Sequence, residues 1–81
     1  MSNTALMKQK LARLQARKKA LEVEAAGLAR DIIPLINPAL TPIEEMNIAK
    51  AASKMDDLVV KQGELLSHQT DIWSLEEELG Y

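Results

Sequence analysis

The chain has 81 residues, 47% of them hydrophobic and 27% charged, with a formal net charge of −2. One domain is the ceiling at this length, the composition is that of a folding chain, and the near-neutral charge supplies no global field toward nucleic acid or anionic membrane. There is no cysteine, which excludes disulfides, thiolate metal sites and a cysteine nucleophile.

No run approaches the roughly 18 apolar residues of a membrane span. The first residues also lack the apolar stretch of a signal peptide, because basic residues interrupt them from Lys8 to Lys19. A cytoplasmic protein without membrane attachment is therefore expected. The only aromatic residues are Trp73 and Tyr81, and the apolar content is mainly Leu, Ala, Ile, Val and Met.

The first predicted element is a helix from about Thr4 to about Ile33. Met7, Leu14, Leu21, Leu28 and Leu35 are seven apart, and Leu11, Lys18, Ala25 and Ile32 fill the interleaved column. That 3-4 alternation is the pattern of coiled-coil packing. The prolines, Pro34, Pro38 and Pro42, all fall mid-chain, so residues 34–41 are read as a connector that ends the first helix.

A second helix is expected from about Pro42 to about Leu79. Thr41 as N-cap, Pro42 at the first helical position and Glu44 three residues on form a capping box, and Gly80 marks the end. Its apolar residues recur as the adjacent pairs Ala51/Ala52, Leu58/Val59, Leu65/Leu66 and Ile72/Trp73, a row that Leu79 continues, with Ile48, Met55, Gln62, Gln69 and Glu76 as the flanking column. The expected fold is all-α: an antiparallel, coiled-coil-like two-helix hairpin forming one domain over 1–81. Folding about Pro38 sets Lys18 near Gln62 and Leu11 near Gln69. At that layer Lys18 either completes a polar layer or extends its head to the edge of the seam.

The apolar face of the second helix exceeds what one partner helix covers. A four-helix bundle completed by a homodimer, or docking on another protein, would bury it. The apolar partner-binding candidates are Leu58, Val59, Leu65, Leu66, Ile72 and Trp73, with Leu66 and Trp73 foremost because Trp is enriched at binding hot spots. Asp57, Glu64, Asp71 and Glu78 recur every seven residues and form a candidate acidic ridge, expected to point away from the first helix.

Six of the ten basic residues lie between Lys8 and Lys19, with no acid before Glu22. Lys10, Arg13 and Arg17 on one flank are candidate contacts for nucleic acid or for an acidic partner. Lys8 and Lys19 fall on the other flank, so no single groove-facing stripe forms, and no aromatic residue on this arm offers a stacking platform.

Chemistry has little to work with. Glu64, His68 and Asp71 stand at helical spacing, yet the first helix has no carboxylate to set opposite His68. Gly27, Gly63 and Gly80 are too far apart for a phosphate loop, and the connector has no Trp-x-Gly turn of the kind found in secreted helical hairpins. The expectation is a non-enzyme without cofactor or metal. It would be a protein–protein interaction module with an assembly, adaptor or inhibitor role, such as an accessory factor of a phage or mobile element. A nucleic-acid-associated accessory protein is the second reading.

Overall fold

Every 3-4 step in the first half of the chain is a helical step, and the structure, a computed structural model describing residues 2–81, forms one helix from them. α1 spans Ser2–Leu35, and α2 spans Ile48–Leu79. The two pack against each other as a hairpin 63 × 15 × 14 Å in extent. Among the described residues there is no strand, and no helix is long and apolar enough to cross a membrane.

α1 runs through Pro34 rather than stopping at Ile33. A proline removes one helical hydrogen bond and crowds the carbonyl four residues back, but in the last turn that cost is confined to a helix already ending. Ile36 N–H bonds the Ile33 carbonyl at 3.3 Å, tightening the exit. Asn37 then organises the turn: its side-chain oxygen accepts from Ala39 N–H at 3.0 Å, and its carbonyl accepts from Leu40 and Thr41 at 3.0 and 3.2 Å. Asn is suited to this because its short side chain reaches its own backbone two residues on.

The expected capping box at Thr41 does not form. Pro42 is extended, at φ −57° and ψ 148°, and leads into a single 3-10 turn over Ile43–Glu45 with no side-chain cap. Met46 is extended again. The N-cap of α2 is Asn47, whose side-chain oxygen accepts from Lys50 N–H at 3.1 Å. Asn is among the strongest N-caps, and with Thr41 occupied by the Asn37 turn the helix starts six residues later than the proline suggested. At the other end Gly80 is left-handed at φ 77°. Its N–H bonds the Glu77 carbonyl at 3.1 Å and Tyr81 N–H bonds that of Glu76 at 2.9 Å, a Schellman closure.

The seam of α1 is the predicted one. Leu11, Leu21 and Ile32 are buried, and Met7, Leu14, Lys18, Ala25, Leu28 and Leu35 are half-buried between them. The seam of α2 keeps Ala51, Leu58, Leu65, Ile72 and Leu79 but interleaves them with Lys54, Lys61, His68 and Leu75. The flanking column, Ile48, Met55, Gln62, Gln69 and Glu76, lies beside this seam, so Gln62 and Gln69 do not enter it opposite Lys18 and Leu11. The register also differs: Leu11 packs with Ile72 and Leu75, not with Gln69. The longer α1 and the later start of α2 move the fold of the hairpin toward the C-terminus.

Candidate interaction surface

With three of its four interleaved seam positions polar, α2 gives α1 a thin apolar strip. Among the described residues the buried ones are Leu11, Leu21, Ile32, Ala51, Ile72 and Leu75, and only Leu21 is fully enclosed. Two chemically different faces flank this strip.

On one face the hairpin is laced with ions. Lys61 Nζ lies 2.9 Å from Glu24 Oε2, and Lys54 Nζ 3.5 Å from Asp31 Oδ2. Arg17 sets one guanidinium nitrogen 3.9 Å from Glu24 and the other 3.7 Å from Glu64. The hydrogen bond from Lys61 and its charge hold the Glu24 carboxyl below its usual pKa, and the same contact holds the Lys61 ammonium above its own. These groups are solvated, so each pair contributes little to stability. Their larger effect is directional: opposite charges level across the seam favour this antiparallel register over a slipped one.

The acidic ridge belongs to this face, which corrects the expectation that it points away from α1. Glu64 reaches Arg17 across the seam. Asp71 and Glu78 share a shallow hollow with Lys10, and Asp57 shares another with Glu24, Asp31 and Lys61. A column seven apart beside Lys61 and His68 flanks the seam, and only a wheel centred on the wrong interleaved column sends it outward. Lys10 and Arg17 therefore face acids of α2, and Arg13 is exposed next to them.

The second face carries an exposed apolar column on α2, with charged residues at its border. Val59, Leu66 and Trp73 form a column seven apart with 60%, 62% and 63% of their surface exposed. Ile48 and Met55 stand beside them, and Ile33 and Ile36 add to this side from α1 near the turn, all four exposed. Trp73, Gln69 and Glu76 share a hollow with Gln15, Lys19 and Glu22, so outer residues of both helices border one surface. A second hollow, of about 400 Å³, lies between Ala25 of α1 and Met55, Val59 and Gln62 of α2.

The six apolar candidates thus divide. Leu58, Leu65 and Ile72 are in the hairpin seam, with Ile72 buried, whereas Val59, Leu66 and Trp73 are open. Lys18, half-buried in the seam, sends its ammonium 3.6 Å from Glu22 at the edge, the edge-seeking behaviour of a long cationic side chain, and forms no layer with Gln62. Sequence reading did not assign Lys54, Lys61 and His68 to the seam, although Leu75, seven residues beyond His68, marks their column.

His68 is half-buried, and its Nδ1–H donates to the Glu64 carbonyl at 2.9 Å, one turn back on the same helix. Among the described residues no group of three or more His, Asp or Glu is placed to hold a metal ion. Comparison of the chain with protein-family models, with curated proteins and with solved structures found no match.

Proposed function

We propose that the chain is a non-catalytic protein–protein interaction module whose docking surface is the outer apolar face of α2, centred on Leu66, together with the adjoining side of α1. The observation that carries this reading is the exposed Val59–Leu66–Trp73 column. Three large apolar side chains aligned at heptad spacing and open to water are the pattern of a helix prepared to pack against another helix. The thin seam supports it as well, because a two-helix hairpin this size buries little of its own surface and gains stability from association. Completing a four-helix bundle is one way to cover the face. An assembly, adaptor or inhibitor role follows from such a surface without any reaction being performed.

The nucleic-acid reading draws no support from the geometry. Arg17 is engaged by Glu24 and Glu64, and Lys10 shares its hollow with Asp71 and Glu78, so this stretch of basic residues is partly neutralised by its own hairpin.

The test is a photo-crosslinking residue placed at Leu66, with one at the exposed Val23 on the outer side of α1 as control, activated in the producing cell. The expected result is a discrete protein adduct from position 66 that is absent from position 23. Adducts with nucleic acid alone, equal labelling from both positions, or no adduct would overturn the reading.

A further inference from the structure

We propose that the occupant of the apolar face is a second copy of this chain, related by a twofold axis running along the hairpin, so that α1 of each copy lies against α2 of the other. This rests on reading that face as the docking surface and adds which partner it takes and in which orientation.

The argument begins with levels. Glu24 is level with Lys61 and Asp31 with Lys54 across the seam. Moving equal numbers of residues in opposite directions along the two antiparallel helices from these contacts sets Ala12 level with Trp73, Ala26 with Val59, and Ile33 with Ala52. Within one hairpin these residues lie on outer columns and are exposed. Each level holds one large and one small side chain, and the large one changes helix at the last level. An axis along the hairpin leaves every level unchanged and swaps the helices. Ala12 then meets the partner's Trp73, Ala26 the partner's Val59, and Ile33 the partner's Ala52, and alternating large and small residues fill the space between helices.

The polar residues of the face agree with this arrangement. Lys8 comes within one residue of level with the partner's Glu76, an opposite-charge pair, and Gln15 within one residue of the partner's Gln69. At the Lys19 level the lysine stem covers the partner's Leu66 while its ammonium stays in water. An axis perpendicular to the hairpin and centred on it does worse. It sets Lys19 against the partner's Lys19, leaves a gap between Ala12 and Ala26, and crowds Trp73 against Val59. The face, at most 63 Å long and 15 Å wide, is on the scale of the roughly 800 Å² per partner that a standard stable interface buries.

The chain has no native cysteine, so Ala26→Cys and Val59→Cys each carry a single thiol. Both positions are exposed, and circular dichroism checks that each variant keeps its helices. Mixed under mild oxidation, the two variants should form the mixed disulfide in several-fold excess over either homodisulfide, because disulfide bonding needs Cβ atoms about 3.5–4.5 Å apart. Dominance of either homodisulfide would overturn the proposed axis. A monomer mass at every concentration in sedimentation would overturn the second copy as occupant. That monomer would leave the interaction reading standing if Leu66 crosslinks to a different protein, and both would fall if it crosslinks to nothing.

Discussion

Lys61 and Glu24 meet across the hairpin at 2.9 Å, at a level where α2 contributes a lysine to the seam instead of an aliphatic side chain. The contact lowers the Glu24 pKa, so its stabilising effect is present above the ordinary carboxylate value and is lost as pH falls through the lowered one. It raises the Lys61 pKa, so that side of the effect is present below the ordinary lysine value and is lost as pH rises through the raised one. Melting temperature followed against pH should therefore show a plateau between the carboxylate and lysine ranges. Lys61→Gln should flatten the acid limb relative to wild type. An unchanged acid limb in that variant would show the pair to be energetically silent.

Among the described residues Leu21 is the one fully enclosed side chain, and it packs in the middle of the seam. Leu21→Ala should cost about 2–5 kcal/mol, the usual range for a buried leucine that leaves a cavity. An 81-residue chain is expected to have only about 4–12 kcal/mol in total. Urea unfolding followed by circular dichroism should show a large loss in midpoint. Leu6→Ala, which truncates a residue 59% exposed on α1, should change it little.

The start of α2 separates two readings of the same turn. Asn47→Ala removes the side-chain acceptor of Lys50 N–H and should cost about 1 kcal/mol, with the first turn of α2 fraying. Thr41→Ala should be close to neutral, since Thr41 contributes its backbone N–H to the Asn37 turn and caps no helix. Amide hydrogen exchange at Lys50 resolves the difference. A larger loss from Thr41→Ala than from Asn47→Ala would contradict the observed cap.

Gly80 and Gly63 should respond in opposite directions to alanine. Gly80 holds φ 77°, a left-handed conformation that disfavours any Cβ, so Gly80→Ala should destabilise by about 1 kcal/mol. Gly63 lies inside α2 with open space where a Cβ would project, and Gly63→Ala should stabilise by about 0.5–1 kcal/mol. Thermal melting of the two single variants reads both effects.

How much of this was legible beforehand follows from which interactions are local. The seam of α1 could be read residue by residue, because Met7, Leu14, Leu21, Leu28 and Leu35 repeat every seven residues without interruption. The end of α2 at Gly80 was legible for the same reason, a glycine at the left-handed position being a local demand. The start of α2 was not, since Thr41-Pro42-Ile43-Glu44 and Asn47 both satisfy capping chemistry and the choice depends on what Asn37 does with Thr41. The seam of α2 was misassigned because its apolar residues come in adjacent pairs: Leu65 and Leu66 are equally apolar, and the column that interleaves with them is set by ions on the other helix. Glu24 and Asp31 draw Lys61 and Lys54 toward α1. In the resulting rotation of α2 about its axis, Val59, Leu66 and Trp73 face outward and the acidic ridge flanks the seam, a long-range arrangement that no window along the chain contains.

That rotation makes two exposed aliphatic residues unequal. Val23 and Leu66 are 66% and 62% exposed, so by exposure alone a glutamate should be tolerated equally at both. Val23 has no apolar column around it and points outward from α1, whereas Leu66 is the centre of the stripe between Val59 and Trp73. Leu66→Glu should therefore weaken association at least tenfold in a sedimentation series while leaving helix content intact, because a carboxylate would be desolvated against an apolar partner. Val23→Glu should leave the association constant within about twofold, as surface changes away from such features usually do. Trp73 supplies an internal reporter, since it is the only tryptophan and stands in the same column. In wild type and Val23→Glu its emission should move to the blue as concentration rises and the ring leaves water. In Leu66→Glu it should stay at the wavelength of an exposed indole over the same range. Equal behaviour of the two glutamate variants would mean that the stripe has no special role and that α2 faces water in the working protein.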